Sequence, residues 1–168
     1  MKLEKEVIDN FLPNYQFYKL QSLLMGSEFD WYYNDGVTHP DDGLYQFTHN
    51  FYHWSPTSFN AAGDVESFQW IKPYLSFFNM KKIYKIKANL NPRSGSHIKA
   101  GYHIDNIPCS KTAILYVNTC NGRTEFKDGD KVDSVANRVV IFDPTLEHRS
   151  VTCTDEKRRI VINFNYDV

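Results

Sequence analysis

The chain has 168 residues, a formal net charge of −1 at pH 7 and a sequence pI of about 6.6. This length is typical of a single domain that buries a core without disulfides or a structural metal. The small net charge excludes a strong overall field, so nothing in the composition indicates nucleic acid or an anionic membrane as a partner.

The cysteines and the lack of long apolar runs indicate a reducing cellular compartment. Three cysteines, Cys109, Cys120 and Cys153, form no Cys-x-x-Cys pair, and their odd number suits free thiols in a reducing compartment. The first residues lack the apolar run of a signal peptide, and no span of about 18 apolar residues occurs. We therefore expect a soluble, cytoplasmic protein without a membrane segment, of undetermined oligomeric state.

Residues 1–81 are expected to be the helical and loop part of a single domain that comprises residues 1–168. A helix is predicted over residues 15–25, with Asn14 as its N-cap and Gly26 as its stop. Asp64 is the candidate N-cap of a second helix. Helices of this kind pack on the outside of a sheet.

Residues 27–62 are rich in aromatic side chains, namely Trp31, Tyr32, Tyr33, Phe47, Phe51, Tyr52, Trp54 and Phe59. One interpretation is a set of hairpins and loops whose aromatic rings cover the core. The other is a substrate surface, because loops on a rigid scaffold often carry specificity. The spacing of His39, His49 and His53 fits no zinc pattern, so we assign them no ligand role.

Residues 82–168 are expected to form the core of the domain, together with its functional site. Residues 82–90 alternate between apolar and polar side chains, which predicts a strand. Residues 91–101 are dense in turn formers. They are either a plain hairpin connection or a mobile flap with glycine hinges.

Three side chains form a candidate metal site. His103 and Asp105 are two residues apart, so on a strand both would point to one face. His148 follows Arg138–Phe142, whose β-branched and aromatic composition predicts a buried strand. Two imidazoles and one carboxylate leave coordination positions open, as in non-haem Fe(II) enzymes that activate oxygen.

Several short strands surround these candidate ligands. Strands are predicted over residues 111–118, 123–127 and 131–133, and the Asp128-Gly129 pair between the last two predicts a type I′ hairpin turn. Short strands with close turns indicate a mainly β fold with flanking helices, built on a double-stranded β-helix, the jelly roll of cupin-like proteins.

Two arginines begin the strand predicted over residues 158–166. Either guanidinium would suit a carboxylate that a metal-bound co-substrate presents. Arg158 shares a face with apolar Ile160, whereas Arg159 shares a face with Asn163. Because the more polar face should line the site, we predict that Arg159 faces inward, with Arg158 as the alternative.

At these motifs the sequence resembles the 2-oxoglutarate- and Fe(II)-dependent dioxygenases, within them the prolyl-4-hydroxylase-like branch. The matching segments occur in family order over residues 82–168. They are His103-Ile104-Asp105-Asn106, Leu115-Tyr116-Val117-Asn118, Gly122-Arg123-Thr124-Glu125-Phe126, Phe142-Asp143-Pro144 leading to His148, and the strand 158–166. One position departs from the pattern, since Asn91 stands where many relatives have a tyrosine that contacts the co-substrate.

The resemblance implies a set of cofactors and roles. Fe(II) would be bound by His103, Asp105 and His148, with 2-oxoglutarate and O₂ as co-substrates. Arg159 would bind the far carboxylate of 2-oxoglutarate, the Tyr116 hydroxyl would hydrogen-bond the same carboxylate, and Asn163 would line the pocket. The implied reaction is hydroxylation of an unidentified substrate, for instance a protein or amino-acid side chain such as proline.

Two alternatives of another kind remain. A cupin-like metal protein or enzyme would use the same triad without 2-oxoglutarate. A catalytically inactive binding module would keep the fold alone. Nucleobase demethylation is disfavoured, because relatives of that kind have a second arginine six residues after the first, where this chain has Asn165.

Overall fold

The computed structural model describes residues 5–53, 65–105 and 107–168. Within them lie two α-helices, a 3-10 helix and ten strands. The helices are α1 (Asn14–Met25) and α2 (Val65–Ile71), followed by the 3-10 helix Lys72–Phe78. The strands are β1 (Lys5–Ile8), β2 (Tyr32–Asp35), β3 (Tyr45–His53), β4 (Lys82–Pro92), β5 (Lys111–Tyr116), β6 (Arg123–Phe126), β7 (Lys131–Asp133), β8 (Arg138–Phe142), β9 (His148–Val151) and β10 (Arg158–Asp167).

The strands form two antiparallel sheets. The larger has the order β1-β8-β5-β10-β4-β3-β2, and the smaller has the order β7-β6-β9. Phe126 and Val132 of the small sheet belong to one buried cluster with Val140 and Val161 of the large sheet, so the two sheets pack face to face. This arrangement confirms the predicted mainly β jelly roll with flanking helices.

A second, larger core lies on the opposite face of the large sheet. Alternation along β4 and β10 directs Ile86, Ala88, Ile162 and Phe164 to this side, because successive side chains of a strand point to opposite faces. Helix α1 covers them with Phe17, Leu20 and Leu24, which are all buried. The other faces of β4 and β10 are therefore free to line a site between the sheets. No helix among the described residues is long and apolar enough to cross a membrane.

The boundary expected at residue 82 does not separate a helical part from a sheet. Strands β1, β2 and β3 all precede it, and each belongs to the large sheet. Strand β3 pairs with β4, and β1 pairs with β8 at the other end of the sheet. Residues on both sides of the expected boundary therefore share one sheet. In β3, His49 and Phe51 are buried on the core side, where their rings are 4.8 Å apart, whereas Gln46 lines the cleft on the opposite face.

Two local predictions are wrong. Helix α1 begins at Asn14 itself, with Pro13 at the N-cap position and no side-chain cap. The turn between β6 and β7 has a positive φ of 101° at Gly129 but not at Asp128, whereas a type I′ turn requires both. A three-residue loop with glycine at the left-handed position takes its place. Trp54, Phe59, the Asp64 cap and Asn106 lie outside the described residues.

Candidate metal centre and its cleft

A cleft of about 570 Å³ lies between the sheets. Its walls are the polar faces of β4 and β10 from the large sheet and parts of β6 and β9 from the small one. Five of the six predicted site residues line it, namely His103, Asp105, His148, Arg159 and Asn163. The sixth, Tyr116, does not.

The three candidate metal ligands converge at one end of this cleft. One ligand atom from each of His103, Asp105 and His148 lies within 4.8 Å of the others. His103 Nε2 is 3.9 Å from Asp105 Oδ1, and the two imidazole centroids are 4.6 Å apart. Such a cluster has the size that one metal ion requires of its ligands.

His103 and Asp105 do not lie on a strand, but their side chains still converge. His103 forms only an isolated bridge, with two backbone hydrogen bonds of 3.0 Å to His148. This bridge places the first imidazole directly against the second. The surrounding segment is irregular, and Asp105 reaches the cluster through chain curvature rather than strand alternation.

Each imidazole has one nitrogen directed to the backbone. His103 Nδ1 is 3.3 Å from the Gly101 carbonyl oxygen, and His148 Nδ1 is 3.0 Å from that of Leu146. A carbonyl accepts only from N–H, so each Nδ1 donates to the backbone and Nε2 is the nitrogen left to bind a metal. Metal-binding histidines are oriented in this way.

The carboxylate of the cluster is oriented by an amide. Asn165 Nδ2 donates to Asp105 Oδ2 at 2.8 Å and also to Thr112 Oγ1 at 3.0 Å. With Oδ2 engaged, Oδ1 faces His103. The site therefore presents two nitrogens and one oxygen in fixed directions.

Burial favours the neutral imidazole that a metal binds. Burial lowers the pKa of His103, and the neighbouring His148 lowers it further. A donor set of two neutral imidazoles and a carboxylate fits Fe(II), which tolerates mixed nitrogen and oxygen ligands with open positions.

Arg159 is a buried cation without an acidic partner in the described part of the chain. Its side chain is almost fully buried, with 1% exposure. Nε donates to Ser134 Oγ at 2.8 Å, and Nη2 donates to Thr124 Oγ1 at 3.1 Å. Both partners are neutral hydroxyls, and burial lowers the pKa of the guanidinium. A buried charge is costly unless paired, which makes this end of the cleft a place for an anion.

Close packing fixes the stem of Arg159. A Cβ added at Gly122 would lie 2.7 Å from Arg159 Cδ and 2.9 Å from the Val151 carbonyl oxygen. Backbone on one side and the arginine stem on the other leave no space for a methyl group. Gly122 is thus required for the position of the guanidinium.

The other predicted residues have different surroundings. Arg158 donates to the Met25 carbonyl and does not line the cleft, which agrees with the parity argument for Arg159. The Tyr116 hydroxyl donates to Thr124 Oγ1 at 2.8 Å, and burial raises the pKa of Tyr116 to about 12. Thr124, and not Tyr116, therefore lines the cleft here. The Oδ1 atom of Asn163 is buried and has no hydrogen-bond partner among the described residues.

Sequence reasoning missed two groups of cleft residues. The hydroxyls of Thr124 and Ser134 come from positions far from Arg159 in the chain, and no local pattern marks them. Lys85 and Lys87 also line the cleft, and their signal was present in the polar face of the alternating strand β4.

In the described part of the aromatic segment, loop residues line the cleft and the Phe, Tyr and Trp rings do not. Val37, Thr38 and His39 line the cleft together with Gln46. The exposed rings in the described part of this segment are Tyr32, Tyr33 and Tyr45. The second interpretation of this segment, a substrate surface, stays a prediction.

Comparison with known proteins rests on structure alone. No protein-family model matches the sequence, and no curated protein matches it. A 2-oxoglutarate-Fe(II) oxygenase family oxidoreductase from Burkholderia pseudomallei has a TM-score of 0.67 at 10% identity, over 96% of this chain and 84% of that one.

Two further solved structures have comparable similarity. A prolyl hydroxylase from Trichoplax adhaerens, in complex with a peptide fragment of the hypoxia inducible factor oxygen degradation domain, has a TM-score of 0.63 at 15% identity, over 97% of this chain and 83% of that one. The non-haem α-ketoglutarate-dependent epimerase SnoN from nogalamycin biosynthesis has a TM-score of 0.60 at 10% identity, over 96% and 76%. This chain therefore has the fold of the 2-oxoglutarate- and Fe(II)-dependent oxygenases.

Proposed function

We propose that the protein is an Fe(II)- and 2-oxoglutarate-dependent oxygenase that hydroxylates its substrate. One observation carries the proposal. The buried guanidinium of Arg159, which has no acidic partner among the described residues, opens onto the same cleft as the cluster of His103, Asp105 and His148. A cupin-like metal protein has no need of that buried charge.

The metal-binding end has defined roles. His103 and His148 would each bind Fe(II) through Nε2, and Asp105 through Oδ1. When bound, Fe(II) with 2-oxoglutarate and O₂ supplies the oxidising chemistry of C–H hydroxylation, with succinate and CO₂ as products. Asn165 keeps the carboxylate oriented, because its amide engages the oxygen that does not face His103.

The other end would bind the distal carboxylate of 2-oxoglutarate. The planar guanidinium of Arg159 suits a carboxylate, and pairing inside a dry pocket offsets the cost of its burial. The hydroxyls of Ser134 and Thr124 fix its orientation in advance. Preorganised donors of this kind lose little freedom when the ligand binds.

Thermal unfolding without oxygen, with Mn²⁺ as a redox-silent substitute, tests the proposal. A ligand at 100 times its Kd adds about 2.7 kcal/mol of stability. We expect 2-oxoglutarate to stabilise the parent only when Mn²⁺ is present, and to fail in His103→Ala and Arg159→Met.

The matched control is Arg158→Met, which changes the adjacent arginine outside the cleft and should retain the response. Stabilisation by Mn²⁺ without any response to 2-oxoglutarate would contradict the proposal and favour a metal protein of the cupin kind. No response to either ligand would favour an inactive binding module.

A further inference from the structure

Strand β4 presents two lysines to the cleft. Lys85 and Lys87 line it, whereas Ile86 and Ala88 between and beside them are fully buried in the core on the opposite face. Both lysines are half-buried. Their position on alternate residues of a central strand fixes the direction of both stems toward the site.

Neither lysine has an anionic partner within residues 5–53, 65–105 and 107–168. No salt bridge or side-chain hydrogen bond from either ammonium group occurs there, whereas Arg149 and Glu147 of the cleft wall are both paired. Arg149 is bound by Glu125 at 2.7 Å, and Glu147 by Lys127 at 2.7 Å. Burial lowers the pKa of Lys87 to about 8, and the adjacent charge of Lys85 contributes. Two crowded, partly dehydrated ammonium groups favour an anion between them.

Lys87 lies near the candidate metal ligands rather than near Arg159. The charge of Asp105 raises the pKa of Lys87, against the larger effect of burial, and the charge of Lys87 lowers the pKa of His103. Lys85 is opposite Asn165, whose amide donates to Asp105. In the sheet register Lys87 is opposite Asn163, whereas Arg159 is opposite Asn91. Positions 87 and 91 are four residues apart on one strand, which corresponds to roughly 13 Å.

In the proposed complex with Fe(II) and 2-oxoglutarate, the charges balance without Lys85 and Lys87. A divalent ion with the Asp105 carboxylate carries one net positive charge, and Arg159 adds a second. The two negative charges of 2-oxoglutarate are then balanced, and the charges of Lys85 and Lys87 remain uncompensated. The electrostatics of this wall therefore favour a further anion.

We propose that Lys85 and Lys87 form a subsite that binds a carboxylate of the substrate itself, next to the metal centre. This inference rests on the proposed function, since the substrate would share the cleft with 2-oxoglutarate. The cleft volume of about 570 Å³ is that of a small-molecule site. The Asn163 side chain lines the cleft opposite Lys87.

Acetate is the first probe of the subsite. With Mn²⁺ and saturating 2-oxoglutarate bound to the parent without oxygen, the paramagnetic ion should accelerate relaxation of the acetate methyl protons in a saturable way. Lys87→Met should weaken acetate binding at least tenfold, whereas Lys81→Met, at an exposed lysine just before β4, should match the parent.

The relaxation experiment has outcomes that overturn the proposal. If Lys87→Met binds acetate like the parent, or if acetate is not relaxed in a complex that contains Mn²⁺ and 2-oxoglutarate, the subsite does not exist. If Lys87→Met instead weakens 2-oxoglutarate itself tenfold, the lysine serves the co-substrate. Failure of Mn²⁺ and 2-oxoglutarate to bind at all would overturn the proposed function first, and is seen separately by thermal unfolding.

Substrate-sized probes then distinguish the carboxylate from other groups. Succinate formation by the Fe(II) enzyme is measured with a pool of N-acetyl amino acids and with a pool of the corresponding N-acetyl amino-acid amides. We expect acceleration by the free acids in the parent, little by the amides, and loss of the acid effect in Lys87→Met. Equal effects of the two pools, including none from either, would overturn the assignment of a carboxylate-bearing small molecule.

Discussion

Two buried charges in this molecule have opposite surroundings. The Glu125 carboxylate, 4% exposed, accepts hydrogen bonds from Arg123 at 2.9 Å and from Arg149 at 2.7 Å, with Lys99 at 3.6 Å. The Arg159 guanidinium, equally buried, has only neutral hydroxyls beside it. Glu125 lies on β6 of the smaller sheet, and Arg159 lies on β10 of the larger sheet.

The difference separates a structural site from a binding site. Burial would raise the pKa of Glu125, but hydrogen bonds from Arg149 and Arg123 outweigh it and lower that pKa to about 2. The chain thus completes the pairing of its buried acid. The buried guanidinium of Arg159 has no acidic partner among the described residues, and an anionic ligand would supply the missing negative charge.

Glu125→Gln should have the largest effect on stability. It removes the acid from a group of three cations, and breaking a buried ion pair costs about 3–5 kcal/mol of unfolding free energy. Urea unfolding at neutral pH measures this loss. Glu147→Gln removes an exposed pair with Lys127 and should cost less than about 1 kcal/mol. Equal losses in the two variants would contradict the comparison.

Acidification should reveal the same carboxylate. The folded-state pKa of Glu125, about 2, lies below its ordinary value of 4.5. Its contribution is therefore fully present above that ordinary value and is lost as the pH falls from about 5 toward 2. We expect the unfolding free energy of the parent to decline more steeply across this window than that of Glu125→Gln. Parallel profiles would show that another group dominates.

Asn165→Ala tests the orientation of the metal ligand Asp105. Loss of an outer hydrogen bond of this kind typically lowers metal affinity 10- to 100-fold. Titration with Mn²⁺ measures the change. Asn121→Ala, at an exposed asparagine that does not line the cleft, should leave metal affinity at the parent value, and a similar loss there would indicate a general effect on folding.

Arg159→Met should change stability least, and in the opposite direction to Glu125→Gln. Replacing an unpaired buried charge by an apolar side chain of similar length is neutral or stabilising. Urea unfolding without ligands is the measurement. A loss above about 2 kcal/mol would mean that the hydroxyl contacts with Ser134 and Thr124 are structural.

The fold and the clustering of the three candidate ligands could be predicted from the sequence because their signals are local. Alternation in β4 and β10, a buried run before His148 and the order of the motifs are each visible over a few residues. Parity along one strand was sufficient to distinguish Arg159 from Arg158.

Features that depend on the register between strands distant in the chain could not be predicted from the sequence. Thr124 lines the cleft and Tyr116 does not, because the small sheet packs on β5 and the Tyr116 hydroxyl donates to Thr124. No local pattern specifies this packing. The four-residue strand β1 depends on pairing with β8, more than 100 residues away in the chain, and no local pattern specifies that pairing. The irregular approach of Asp105 to the cluster likewise depends on tertiary contacts.

The order of the large sheet has a consequence for folding. Strand β10 is the last strand of the fold, yet it lies at the centre of the sheet between β5 and β4. Before it is added, β1-β8-β5 and β4-β3-β2 are two separate half-sheets. Joining them closes contacts of high sequence separation, which slows folding. During synthesis the two half-sheets can join only after this strand has been made. Arg159, which lies on it at the proposed anion site, is therefore positioned late in folding.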